Sequence, residues 1–196
     1  MKLITLFLPA LVALASVGSA QQGPPPRELM LTKRIFLALN PNVKSEIKLT
    51  GDEREKIMNA FNGALEIEGE RIRLSLSGGQ DLGEMVAEGM KVLDAGQRRR
   101  LEELWIQRLK GLAIADDEIA KKVGLTAEQK READRLVEEG GNAIAEIMMG
   151  NPSPNKGKKV DAIRSDYGKR VLNLLTEGQK KTYEGLKGKP FEPKTL

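Results

Sequence analysis

The chain has 196 residues, 32 Lys and Arg against 28 Asp and Glu for a net charge of +4, and neither His nor Cys. Without Cys there is no disulfide framework, no thiolate nucleophile and no Cys-based zinc or iron–sulfur site. Without His, the usual general base at neutral pH and the commonest metal ligand are gone. The residue types that remain favour a binding protein over an enzyme.

The first twenty residues read as a secretory signal peptide: basic Lys2, an apolar stretch from Leu3 to Val17, then small Gly18-Ser19-Ala20 ahead of Gln21-Gln22. No Cys follows the small residues, which argues against a lipid anchor, and no later stretch is apolar enough to span a bilayer. The expectation is a soluble exported chain, periplasmic or extracellular, with an N-terminal extension and first helix over 21–36. Six aromatics follow the leader, Phe36, Phe61, Trp105, Tyr167, Tyr183 and Phe191, so a thin or extended core is expected.

From Thr50 onward the spacing predicts helices and no strand. Ile57, Phe61, Ala64, Leu65, Ile72 and Leu76 follow helical spacing. So do Leu101, Leu104, Trp105, Leu109 and Leu112 after a start near Asp94; Ala133, Leu136, Val137, Ile144 and Ile147 after Thr126; and Val160, Ile163, Tyr167, Val171 and Leu174. Breaks are expected at Ser77-Gly78-Gly79, at Gly111 to Asp116 and at Gly150 to Pro154. The termini Gln21–Pro26 and Gly188–Leu196 read as loose, with 192–196 as the C-terminal tail.

The chain repeats itself. Val43 aligns with Ile119, Ile47 with Val123 and Leu49-Thr50 with Leu125-Thr126, at an offset of 76 residues. Leu93 to Arg99 aligns with Leu175 to Lys181, and Leu101 and Leu104 with Tyr183 and Leu186, at an offset of 82. Two matched blocks in the same order predict an internal duplication, with repeats over 37–112 and 113–191. The fold class that follows is all-α, with tandem helical hairpins, elongated or cradle-like.

Four places share one pattern: Leu49-Thr50-x-x-Glu53, Leu93-Asp94-x-x-Gln97, Leu125-Thr126-x-x-Gln129 and Leu175-Thr176-x-x-Gln179. A Thr or Asp followed three residues later by Glu or Gln is a capping box, in which the first side chain takes the amide at N3 and the second returns to the N-cap amide. Each cap contributes about 1 kcal/mol. Arg54, Arg98, Lys130 and Lys180 occupy the position where a hydrophobic staple would sit, so each preceding Leu is expected to pack on tertiary neighbours instead. A structural role for these twelve residues outweighs a ligand site.

Repeated Leu-Thr-x-x-Gln in an exported helical chain resembles the LTxxQ-motif family, which includes the Spy periplasmic chaperone and related stress and metal-sensing proteins. Leu125 to Gln129 and Leu175 to Gln179 match the pattern fully; Glu53 replaces Gln and Asp94 replaces Thr in the other two. The resemblance covers about 37–191 through motifs and their order. It implies a helical-hairpin fold, often a cradle-shaped homodimer, and an ATP-independent chaperone or stress role with unfolded or envelope proteins as partners. Two motif pairs in one chain put obligate dimerisation in doubt.

Other features are weighed against plain structure. The basic clusters Arg98-Arg99-Arg100, Lys156 to Lys159 and Lys180-Lys181 suit acidic partners but read as solvated helix faces, and no aromatics interleave them as nucleic-acid binding would require. Met58, Met85, Met90 and Met148-Met149 suit soft metals or adaptable client contacts, with core filling the plainer account. Asp116-Asp117-Glu118 reads as acidic charge at a helix start rather than a calcium site. Gly63, Gly69, Gly83, Gly89, Gly140, Gly141 and Gly168 fall in helical patterns and signal either close helix crossing or softness. No nucleotide loop or hydrolase motif occurs. Neither a cofactor, a metal site, a catalytic residue nor a nucleic-acid partner is expected. The alternative functions are a periplasmic metal or stress sensor of the same fold and a structural envelope protein.

Overall fold

A computed structural model describes residues 34–68, 71–75, 80–150 and 154–191. The leader, most of the N-terminal extension, Gly69, Leu76, the break at Ser77 to Gly79, most of the break after Gly150 and the tail 192–196 lie outside the described residues. The chain divides into two compact units, which over the described residues run to Glu102 and from Glu103.

Unit 1 begins with α1 (Arg34–Ala38) and α2 (Pro41–Glu46), followed by α3 (Gly51–Ala60). Strands β1 (Leu65–Glu68) and β2 (Arg71–Leu74) pair antiparallel, with Leu65 opposite Leu74 and Ile67 opposite Ile72. Helix α4 (Leu82–Val92) and the start of α5 (Ala95–Leu109) complete it. Unit 2 holds the end of α5, the 3-10 segment Lys110–Ala115, α6 (Asp117–Val123), α7 (Ala127–Met149), α8 (Lys156–Leu172) and α9 (Glu177–Leu186). The fold is all-α with one small hairpin. None of the described helices is long and apolar enough to cross a membrane.

The hairpin corrects the expectation that no strand occurs and that one helical stripe runs to Leu76. Helix α3 stops at Ala60 because Asn62 and Gly63 both take positive φ, 47° and 76°. That conformation ends an α-helix, and glycine adopts it without strain. Gly63 therefore sits in a turn, not in a helix. Beyond it Leu65, Ile67, Ile72 and Leu74 alternate with Glu66 and Arg73, a period of two that puts Leu65, Ile72 and Leu74 inside while Glu66 faces Arg73 across the strands. The coincidence that Ala64, Leu65 and Ile72 also fit a helical stripe hides this in the sequence.

The second correction concerns Gly111 to Asp116. This break is a fully buried 3-10 turn: Leu112, Ala113, Ile114 and Ala115 are all core residues. At the same offset of 76 it matches α1 and the residue after it, where Ile35 to Leu39 are equally buried. Each segment ends in a buried polar cap. Asn40 accepts from the Asn42 amide at 3.0 Å, and Asp116 accepts from the Glu118 and Ile119 amides at 3.0 and 3.3 Å. The two units thus share five elements in order: buried turn, short capped helix, Leu-Thr helix, returning helix, and a second motif helix. They part company in the middle, where the hairpin of unit 1 takes the place of the far half of α7.

Some of the glycines inside helical segments mark close crossings, while others, Gly83 among them, meet no neighbouring element. A Cβ on Gly111 would lie 2.0 Å from the Gly168 carbonyl oxygen, and one on Gly140 would lie 2.9 Å from the Tyr167 ring. In unit 1, Gly89 packs at 3.3 Å from Ile35 and 3.5 Å from Phe61 in the same sense. Tyr183, fully buried on α9, donates its hydroxyl hydrogen to the Lys110 carbonyl, and Gln107 donates to the Lys187 and Lys189 carbonyls and accepts from the Phe191 amide, so Gly188 to Phe191, expected to be loose, are fastened to α5.

Candidate functional site

All four motifs form reciprocal caps. Thr50 donates its amide to Glu53 at 2.8 Å and Glu53 returns its amide to the Thr50 hydroxyl at 3.2 Å. The corresponding pairs are 2.8 and 2.8 Å at Asp94 and Gln97, 3.0 and 3.1 Å at Thr126 and Gln129, and 2.9 and 3.3 Å at Thr176 and Gln179. Leu49, Leu93 and Leu175 are buried, as the missing staple requires, and Leu125 is half-buried.

What capping alone does not anticipate is that the motifs meet in pairs. In unit 2 the Gln129 carboxamide donates to the Gln179 Oε1 at 2.9 Å and to the Leu174 carbonyl at 2.7 Å. Gln179 does the mirror image, donating to the Gln129 Oε1 at 3.0 Å and to the Gly124 carbonyl at 2.7 Å. Leu174 and Gly124 each immediately precede a motif leucine. Each carboxamide therefore spends both hydrogens across the pair, and each oxygen serves its own N-cap amide and the opposite glutamine. The result is a two-fold clasp with every polar atom of both side chains satisfied. It explains the glutamine: a glutamate closes a capping box equally well, but only a carboxamide can accept for its own helix and donate to the next.

Unit 1 carries the same clasp in one-sided form. Gln97, buried, donates to the Glu53 carboxylate at 3.0 Å. Glu53, having no hydrogen to give, only accepts: from the Thr50 amide, from the Thr50 hydroxyl at 3.0 Å and from Gln97. The Thr50 amide first, and then the Gln97 carboxamide, hold its carboxyl below the ordinary value of 4.5. A depressed pKa contributes stability that is present above the unfolded value and fades as pH falls through the folded one. Unit 1 is therefore expected to loosen below about pH 4.5, and Glu53→Gln to flatten that acid limb; amide hydrogen exchange of α3 and α5 across roughly pH 3–6 measures it.

An open depression of about 510 Å³ lies beside the unit 2 clasp, lined by Glu128, Gln129, Arg131, Glu132, Arg135 and Leu174. Its charges are of both signs, and Arg135 pairs with Glu132 and Glu139 within its own helix, so it selects no ligand charge. Among the described residues no group of three or more Asp or Glu is placed to hold a metal ion. Asp116 serves as the cap of α6, with Asp117 and Glu118 in that helix's first turn. The expected basic clusters divide: Arg100 pairs with Glu46, Lys180 pairs with Glu177 and Lys156 closes the end of α7 by donating to the Met148 carbonyl at 3.0 Å.

A different surface of unit 2 stands out. From Gly140 to Met149, Glu146 is the only charge in ten residues of α7. Ile144, Ile147 and Met148 are half-buried, and Met149 is 76% exposed, the most open large apolar side chain among the described residues. Lys158 and Lys159 stand exposed in the first turn of the returning helix α8. Sequence periodicity identifies Ile144 and Ile147 but places them on the same stripe as the buried Ala133, Leu136 and Val137, whereas both keep part of their surface exposed. No family model, no curated protein and no solved structure matches this chain.

Proposed function

We propose that this chain is an exported, ATP-independent binding protein of the Spy-like kind, which holds partly unfolded envelope proteins. The observation that carries the reading is the far half of α7, an apolar end that exposes Met149 and leaves Ile144, Ile147 and Met148 partly uncovered beside exposed lysines. Met adapts its shape to varied partners, and apolar area rimmed by positive charge suits segments that expose apolar residues among acidic ones. The paired Leu-Thr-x-x-Gln clasps support it from the other direction: they hold the base of the α7–α8 hairpin firmly, so its far end can stay uncovered without loss of the fold. The leader-like first twenty residues support export.

Purified chain without its first twenty residues is expected to suppress aggregation of a thermally unfolded model client at several-fold excess without ATP. Met148→Gln with Met149→Gln keeps length and helix propensity and is expected to weaken suppression several-fold at an unchanged melting temperature. No suppression by the parent chain would remove the reading.

A further inference from the structure

Unit 2 contains a second feature, independent of the α7 surface. Gly111 and Gly168 bring the 3-10 segment and α8 to backbone contact, since a Cβ on Gly111 would meet the Gly168 carbonyl oxygen at 2.0 Å. Arg108 stands three residues before one glycine and Arg164 four residues before the other, so the two guanidinium groups belong to the facing elements of one crossing, within electrostatic reach of each other and of Asp161. Both are half-buried; the Arg164 side chain keeps 21% of its surface. Arg164 has one long ion pair, 3.4 Å to Asp161, itself 62% exposed. The Arg108 side chain makes no hydrogen bond or direct ion pair among the described residues, Asp161 attracting it only at longer range. Burial lowers the pKa of both and the Arg164 charge lowers that of Arg108 further, while the Asp161 carboxylate opposes the shift at each. One turn before Arg108 on the same helix, the Trp105 indole N–H is buried and has no acceptor among the described residues.

The balance is lopsided. Two arginines offer hydrogen-bond donors at one crossing, and a single exposed carboxylate, Asp161, answers them. Like charges held together at a half-buried site cost free energy that a second opposite charge between them would offset. Guanidinium groups match the paired oxygens of an oxyanion better than any other side chain. We propose that Arg108 and Arg164 form a binding site for an oxyanion, the carboxylate or phosphate group of a ligand.

The test compares sodium phosphate and sodium acetate with sodium chloride at equal ionic strength, using the full chain and the fluorescence of Trp105, its only tryptophan. Saturating phosphate is expected to raise Tm by about 3–5 °C over chloride and to change Trp105 emission. A response to acetate as well assigns the site to carboxylates generally; a response to phosphate alone assigns it to phosphate groups. Arg108→Gln is expected to abolish the response, and, by removing one of two repelling charges, to leave Tm in chloride equal or higher. In the parent chain, labelled with the heavy nitrogen isotope, the Arg108 and Arg164 side-chain Nε–H signals are expected to move on phosphate titration, a measurement that needs no variant to fold. Equal Tm and unmoved arginine signals in all three salts would overturn the proposal, as would a phosphate response that survives Arg108→Gln.

Discussion

Gln129→Glu is expected to destabilise unit 2 by about 3 kcal/mol, although it converts the motif into the very sequence that unit 1 tolerates at Glu53. The substitution is nearly isosteric and leaves the capping box intact, because the Thr126 amide still finds an oxygen. What it removes is donation. The Leu174 carbonyl loses its partner at 2.7 Å and the Gln179 oxygen loses its partner at 2.9 Å, and both acceptors then face a carboxylate. Two lost hydrogen bonds at about 1 kcal/mol each, together with the cost of acceptors turned on one another, give the total. For a chain of this length that lowers Tm by about 6–12 °C, which Trp105 fluorescence reports because the tryptophan belongs to the same unit. The deficit is expected to shrink in acid, where the introduced carboxyl takes up a proton and can donate again. Glu53→Gln, by contrast, is expected to cost less than about 0.5 kcal/mol at neutral pH, since that position already works by accepting alone. If both exchanges cost the same, the motif glutamine is a cap and nothing more.

The caps and the clasp divide what is legible in the sequence from what is not. A capping box is local: Thr50 and Glu53 or Thr126 and Gln129 sit three residues apart, and their chemistry alone predicts both hydrogen bonds. The offsets of 76 and 82 likewise place the motifs in two pairs. That Gln129 reaches Gln179 depends on helix crossing, which no spacing encodes, although the preference for Gln over Glu at three of the four N3 positions hints that donation matters. The hairpin is hidden for a different reason. Over about ten residues a period of two and a period of 3.6 select overlapping positions, and Asn62-Gly63 is the signal that breaks the tie. The buried turn at Gly111 to Asp116 resembles a surface break because glycine and aspartate punctuate loops. Here the glycine instead permits backbone contact, and the aspartate caps a helix from within the core. Arg108 and Arg164 lie far apart in the chain, and only the crossing itself relates them.

Gly111→Ala is expected to be among the most damaging single-methyl additions in the chain, costing about 3–5 kcal/mol. The added carbon would sit 2.0 Å from the Gly168 carbonyl oxygen and 2.7 Å from its carbonyl carbon. Both are backbone atoms of α8, so no side chain can swing aside, and relief requires the whole helix to move. The opposite substitution is milder: a Cβ on Gly168 meets the Gly111 nitrogen at 3.1 Å, a contact that a shift of a few tenths of an ångström relieves. Gly185, inside α9 with nothing within 4 Å of its virtual Cβ, gives the reference case, where alanine is expected to stabilise by about 0.5–1 kcal/mol through helix propensity alone. The three variants therefore separate the two readings of a glycine-rich helical protein. If the glycines serve softness, all three alanines stiffen the chain and raise Tm together. If they serve contact, the sign reverses between Gly185 and Gly111, with Gly168 between them. Urea denaturation of the three variants, followed by Trp105 fluorescence with slopes compared to exclude a change in the unfolded state, distinguishes the cases. A stabilised Gly111→Ala variant would mean that the 3-10 segment and α8 do not touch as described.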